Sequence, residues 1–447
     1  MIDILGLSME ILRKYPLCNH CLGRLFARLS KGINNFERGY SIKLVLTMLY
    51  HSILKDEESE SVNTAIDNLK VLAVNGLFEP AKDILVHLGY DLPPPNECYV
   101  CGGIFSKLDD YIKEVLKIIN EYEFKTFLVG TKIPAIFLER EDSIRSQFCI
   151  NVGESLKSEV NRLLGKKLQN TLNKEVSFND PDIVIVIDIV NNSVDIQSKP
   201  IFIYGRYRKF VRDIPQTTWF CSNCFGRGCS KCNFTGKRYN TSISELIINP
   251  TLELVKGSEG IFHGAGREDV DTLTLGNGRP FIVEIKNPRY RFIDLNALEK
   301  KINELSDGKI DVKLIKFSNR REVRMLKNIS SLAKKVYQAI VEVDNEINEV
   351  LLKNLEEYFY NREIRQYTPL RVLHRRADKL RIKKVYSLKT EIINKKTFKA
   401  IIECQGGLYV KELISGDNGR TLPNFSQILN SNARCIELAV IFVSEHL

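Results

Sequence analysis

Eight of the eleven cysteines stand in four Cys-x-x-Cys pairs: Cys18/Cys21, Cys98/Cys101, Cys221/Cys224 and Cys229/Cys232. One such turn supplies two thiolates to a metal ion, and a second pair completes a tetrahedral site. The last two pairs are separated only by Phe225-Gly226-Arg227-Gly228, whose glycines let both turns face one ion. They read as a compact four-cysteine ribbon. Pairing Cys18 and Cys21 with Cys98 and Cys101 would close about eighty residues into one unit. All four positions in each set are thiolates, so no position is left open for water. Structural zinc is therefore the expected ion. The sequence has no G-x-x-x-x-G-K-S/T run and no convincing cofactor loop, and no cofactor is expected for catalysis. Cys149, Cys404 and Cys435 stand alone and are expected in the core.

Cysteines used this way fit a reducing compartment. Met1 to Gly6 lacks the basic-then-apolar order of a secretory leader, and no apolar run is long enough to span a bilayer. A cytoplasmic chain, without a membrane partner and monomeric, is the expectation. Net charge is +10. A basic excess of this kind suits a polyanionic partner, because lysines and arginines gain by releasing condensed counterions.

At 447 residues the chain exceeds one typical core, and four regions can be drawn. Residues 1–102 read as a helical zinc-binding region. They contain helical spacing around Ile4–Leu12 and Tyr40–Leu54, a charged break at 55–60 and a stiff Pro93–Pro95 connector. Residues 103–212 read as an α/β domain. It has a strand at Phe124–Val129, a basic amphipathic helix at Ser155–Leu172, a buried strand at Asp182–Val190 and a further strand at Ser193–Tyr204. It ends in Gly205-Arg206-Tyr207-Arg208-Lys209-Phe210-Val211-Arg212, where cations alternate with rings as RNA contact requires. Residues 213–242 hold the four-cysteine ribbon, and 243–447 form a second α/β unit.

That second unit opens on Gly264-Ala265-Gly266-Arg267-Glu268-Asp269-Val270-Asp271, continuing to Gly276-Asn277-Gly278-Arg279. Glycines let a ligand approach the backbone, carboxylates are candidate nucleophiles or bases, and arginines suit a phosphodiester. A polar hairpin loop is the plain alternative. Lys335-x-Tyr337 follows on a strand. Leu370–Val385 is the most basic run, holding Arg371, His374, Arg375 and Arg376. Gly406-Gly407-Leu408-Tyr409-Val410-Lys411 then reads as a strand, with Tyr409 and Lys411 on one face. Cys435–Val443 is a final strand expected to close the sheet.

The order strand, helix, Asp-Pro-Asp strand, strand, Gly-Arg-Tyr-Arg-Lys resembles a THUMP domain. That resemblance implies binding near the acceptor end of tRNA. Gly266-Arg267-Glu268-Asp269, Lys335-x-Tyr337-x-Ala339 and Gly407-x-Tyr409-x-Lys411, in this order, resemble the motifs of pseudouridine synthases. With Gly264–Phe281 and Thr368–Arg376, the chain as a whole is similar to archaeal tRNA pseudouridine synthases acting on positions 54 and 55 in the T-loop.

The resemblance implies an α+β multidomain protein. A mixed or antiparallel-sheet catalytic domain would be joined to an accessory α/β, THUMP-containing, zinc-binding part. It implies an isomerase with Asp269 as nucleophile, and with Arg267, Tyr337, Tyr409 and Lys411 at the substrate. Tyr337 would stack on the flipped base, Lys411 would pair with Asp269, and the surrounding glycines and arginines would cradle the nucleotide. Lysine at 411 departs from the arginine often found there. Asp271, on the same face as Asp269 in an extended chain, is the alternative nucleophile. A THUMP-containing methyltransferase or sulfur transferase, and a non-catalytic tRNA-binding zinc protein, are the competing readings.

Overall fold

The computed structural model describes residues 3–55, 61–329, 333–374 and 376–444, with Ile329 as backbone only. Most of the expected charged break, residues 56–60, and Arg375 of the basic run lie outside the described residues. The chain divides into two compact units, 1–199 and 200–447.

In the first unit, helices at Ile4–Lys14, Asn19–Leu25, Asn35–Leu54, Val62–Val74 and Glu79–His87 come first. The Asn35–Leu54 helix starts at a capping box. Asn34 accepts from the Glu37 amide and Glu37 accepts from the Asn34 amide. The helices Asn19–Leu25 and Asn35–Leu54 cross at Gly23 and Gly39. A Cβ at Gly23 would lie 1.8 Å from the Asn35 carbonyl oxygen, and one at Gly39 2.0 Å from that of Asn19. Only glycine permits this approach.

A four-stranded sheet follows, made of β1 (Thr126–Lys132), β2 (Glu175–Val176), β3 (Ile183–Asp188) and β4 (Ser193–Ser198), in the order β2-β1-β3-β4. β1 runs parallel to β2 and β3, and β4 is antiparallel to β3. Helix Leu156–Leu172 covers it with Leu156, Val160, Leu164 and Leu168, all fully buried at helical spacing. Arg24, 1% exposed, lies between Glu141 and Glu159 and ties three helices together.

The second unit is built on a ten-stranded sheet. Its strands are β5 (Ile201–Lys209), β6 (Glu259–Gly264), β7 (Leu273–Lys286), β8 (Ile310–Ser318), β9 (Lys334–Val343), β10 (Arg362–Gln366), β11 (Arg381–Asn394), β12 (Thr397–Gln405), β13 (Thr421–Leu422) and β14 (Ala433–Val443). The order is β13-β10-β11-β12-β9-β14-β7-β5-β8, with β6 paired to β7. Two cores serve it. Helices Ile243–Val255 and Leu295–Leu305 pack with Ile203, Tyr207, Phe281 and Val283. Helix Glu349–Phe359 packs with Val341, Phe398, Ala400 and Ile402. Truncating a fully buried ring such as Phe398 would cost about 3–5 kcal/mol.

Three expectations are corrected here. The basic segment Gly205–Arg212 does not complete the first α/β domain, because β5 pairs with β7 and β8 in the second unit. Ser193–Tyr204 is not one strand, because Pro200 lacks the amide that would continue the ladder, and the two halves join different sheets. The final strand does not close the sheet. β14 is internal, antiparallel to β9 and parallel to β7. Of the lone cysteines, Cys404 is buried, Cys435 half-buried and Cys149 exposed.

Candidate active site

β14 brings the two halves of the sheet together. Val440 pairs with Tyr337 on β9 on one side and with Thr274 on β7 on the other. A cavity of about 820 Å³ opens over this junction, lined by Asp269, Arg371, Lys335, Tyr337, Tyr409, Lys411 and Leu438 among others.

The acidic loop joins β6 to β7 and is fixed from beneath. Arg279, 1% exposed, ion-pairs with Glu268 at 2.7 Å and donates to the Ala265 carbonyl at 3.0 Å. The Tyr207 hydroxyl donates to Glu268 at 2.7 Å, and Gln216 donates to both Tyr207 and the Gly266 carbonyl. The fully buried Lys209 donates to the carbonyls of Ile214 and Val270 at 2.9 and 2.7 Å. Burial opposes charge on Arg279, and Glu268 more than restores it. Gly266, at φ +81°, makes the bend, and the Thr272 amide closes the turn on the Asp269 carbonyl.

Held this way, Asp269 turns its carboxylate, about one third exposed, into the cavity. Its partner is Arg371, whose Nη1 lies 2.8 Å from Oδ2 and whose Nε donates to the buried Glu412. Burial opposes the Arg371 charge, and Glu412 and then Asp269 hold it in place. The expected Lys411–Asp269 pair is loose, at 4.0 Å. Lys411 instead donates to both Asp271 oxygens at 2.7 and 2.8 Å. Burial works against the Asp271 carboxylate, but Lys411 overrides it and holds the carboxyl below its ordinary range. The two acids thus have different basic partners.

Tyr337 is half-buried on β9, and burial pushes its phenol above the ordinary value. Tyr409 is not on a strand. β12 ends at Gln405, Gly407 turns at φ +91°, and Tyr409 is the N-cap of a short helix, Val410–Ser415. The helix turns Lys411 to Asp271 and Glu412 to Arg371. Gln366, fully buried, clamps the Tyr409 backbone at both its amide and its carbonyl, 2.8 and 3.0 Å. Arg376 donates to the Tyr409 hydroxyl at 3.0 Å. Arg267 lines the cavity with its guanidinium 5.1 Å from the Trp219 ring centroid.

The cavity therefore brings Asp269, Arg267, Tyr337, Tyr409 and Lys411 together. Arg279 lines the cavity wall while it supports Glu268 from beneath. One part of the expected cradle lies elsewhere. Gly276 and Gly278 are close-approach positions in β7, where a Cβ would sit 1.9 Å from the Ile441 oxygen and 2.7 Å from that of Tyr207. Arg371, Lys335, Gln366 and Trp219 join the site without having been singled out for it by sequence reasoning. Arg371 stands out there as one cation in a basic run and as part of the Thr368–Arg376 resemblance, and its spacing from Asp269 carries no signal of their contact.

Each cysteine set converges. Within Cys18/Cys21/Cys98/Cys101 and within Cys221/Cys224/Cys229/Cys232, the sulfurs all lie within 4.8 Å of one another. Cys18–Cys101 is 3.8 Å and Cys224–Cys232 is 3.7 Å. Metal–sulfur bonds of about 2.3 Å in a tetrahedron put sulfurs roughly 3.8 Å apart. Either set can hold a metal ion. No described helix is long and apolar enough to cross a membrane.

The Pus10 C-terminal family matches residues 202–444, and the archaeal Pus10 THUMP family matches 111–188. A curated protein of Methanocaldococcus jannaschii is 43% identical over 98% of this chain and 94% of its own length. One from Ignisphaera aggregans is 39% identical over the whole of both chains, and one from Pyrococcus furiosus 37% over 98% of each. All three are named tRNA pseudouridine synthase Pus10. Among solved structures, a chain of a Cbf5–Nop10–Gar1 complex aligns at a TM-score of 0.28, with 17% identity over 43% of each chain. On the sequence matches, which run the length of the molecule and span both units, this chain belongs to the Pus10 family of pseudouridine synthases.

Proposed function

We propose that this chain isomerises uridine to pseudouridine in tRNA, at position 54, position 55 or both, with Asp269 as the nucleophile. The observation that carries the reading is one carboxylate on a braced loop, turned into a cavity and ion-paired to Arg371. A carboxylate is a nucleophile that can attack the sugar or the pyrimidine ring. The uracil is released, rotated and rejoined to the ribose through C5, with no cofactor. A uridine flipped from the T-loop loses its stacking. An aromatic wall such as Tyr337 replaces stacking worth roughly 1–3 kcal/mol. Arg376, Arg381 and Lys383 line the same cavity and suit the flanking phosphates.

In this reading the THUMP-like part of the first unit binds near the acceptor end of the tRNA, and both cysteine sets hold structural zinc. The test is direct. Purified protein and an unmodified tRNA transcript, incubated without cofactor, should yield pseudouridine at 54 or 55 by base-specific labelling, and Asp269→Ala should yield none. Pseudouridine formation by Asp269→Ala would remove Asp269 from the mechanism. Zinc removal is expected to lower the melting temperature while leaving the chemical step of still-folded protein intact. Loss of turnover with unchanged tRNA affinity would give the metal a larger role.

A further inference from the structure

Three buried lysines can be compared. Lys43 is fully buried and donates to the carbonyls of Leu17 and Gly76 and to Asn19. Lys209 is fully buried and donates to carbonyls beneath the acidic loop. Both ammonium groups are consumed by the fold. Lys335, 5% exposed, differs. Its Nζ makes no hydrogen bond or ion pair among the described residues, and it lines the cavity. It stands against the loop that carries the nucleophile, because a Cβ on Gly266 would lie 3.0 Å from Nζ. β9 carries Tyr337 two residues on, so both side chains leave the same face of the strand. A buried amine without a protein partner costs stability unless it serves a ligand.

Resting on the proposed uridine isomerisation, we propose that Lys335 is a further catalytic residue, the acceptor of the C5 proton that must leave before pseudouridine is complete. Once the sugar has rejoined at C5, that carbon holds both the sugar and its hydrogen, and N1 is doubly bonded to C6. The C5–H bond breaks and its electron pair forms C5=C6. The N1=C6 pair moves onto N1, which takes a proton from water, and the C5 proton passes to the neutral amine.

The surroundings favour that neutral form. Burial and the Arg279 guanidinium push the Lys335 ammonium down to about 7, with Lys383 acting the same way. Cys404 on β12 and Glu268 in the loop oppose them. Tyr337, pushed the other way by burial, remains a phenol at neutral pH and is a poor acceptor.

The test compares Lys335→Met and Lys335→Arg on two full-length tRNAs in single turnover. One carries uridine at the target and the other 5-fluorouridine, which has no C5 proton to lose. Both variants should slow the uridine substrate by roughly 10²-fold or more, since neither side chain accepts a proton. Both should rearrange the fluorinated substrate at the wild-type rate. Rearrangement of the fluorinated substrate guards against a merely unfolded variant. Wild-type turnover of uridine should rise through about pH 7 as the amine loses its proton, and the variants should lack that rise. Equal losses on both substrates, or wild-type rates on both, would overturn the role. No rearrangement of either substrate by the wild-type chain would overturn the isomerase reading itself, and the Lys335 role with it.

Discussion

Each unit buries an arginine against glutamate, and the two pairs serve different ends. In the first unit Arg24, Glu141 and Glu159 are at most 3% exposed and join three helices, with His20 also on Glu159. In the second, Arg279 and Glu268 are each about as buried, but the next residue is Asp269, one third exposed to a large cavity. The same chemistry closes a core in one place and builds a foundation in the other. A buried ion pair is a poor source of net stability, but it fixes geometry because either partner alone is costly. That property suits a loop that must hold one carboxylate still while leaving it accessible.

The contrast can be broken most sharply at Asp269. Asp269→Asn should lower single-turnover pseudouridine formation by at least roughly 10⁴-fold, with an unchanged melting temperature. A variant that melts early would make Asp269 part of the foundation. Next come the two arginines. Arg24→Met and Arg279→Met each strand a buried carboxylate and should cost about 3–5 kcal/mol in denaturant unfolding. Only Arg279→Met should also lower turnover of the remaining folded protein, and equal effects on turnover would erase the distinction between the units.

Arg371→Met should reduce the chemical rate of the folded protein by roughly 10²-fold, because it removes a preorganised charge beside Asp269, and it should also lower the unfolding free energy, because it strands the buried Glu412. The smallest effect belongs to Asp271. Its carboxyl is held below the ordinary value of about 4, so the Lys411 pair adds stability above that value and loses it as pH falls through the lowered one. Asp271→Asn should therefore flatten the acid limb of a stability–pH curve slightly, since the Asp271 side of the pair is exposed. A large loss of turnover in Asp271→Asn would move the nucleophile's role toward Asp271.

Much of the site is legible in the sequence because its signals are local. Gly264–Asp271 combines a tight turn with acids, and Lys335–Ala339 alternates as β9 does. The departures share one cause. Strands 193–198 and 201–209 look alike in the sequence, and no local pattern says that they serve different sheets. Val410–Ser415 is too short for its periodicity to register, so the helix reads as a strand and the Lys411 direction is lost. Arg279 and Arg371 are both arginines near glycine or basic runs. Both line the cavity, but one is fully buried on Glu268 and the other is part-exposed on Asp269, which only packing decides.

The cysteine sets, the acidic loop, the strands at Tyr337 and at Cys435–Val443 and the family were all open to a reader of the bare chain. They depend on spacing along it or on neighbours within a few residues. Three facts needed the folded molecule: that β14 is central, that Arg371 rather than Lys411 is the closer partner of Asp269, and that Lys335 is buried without an acceptor among the described residues. Those depend on which side chains meet across strands remote in sequence. Strand order and desolvation set them, and neither has a local code.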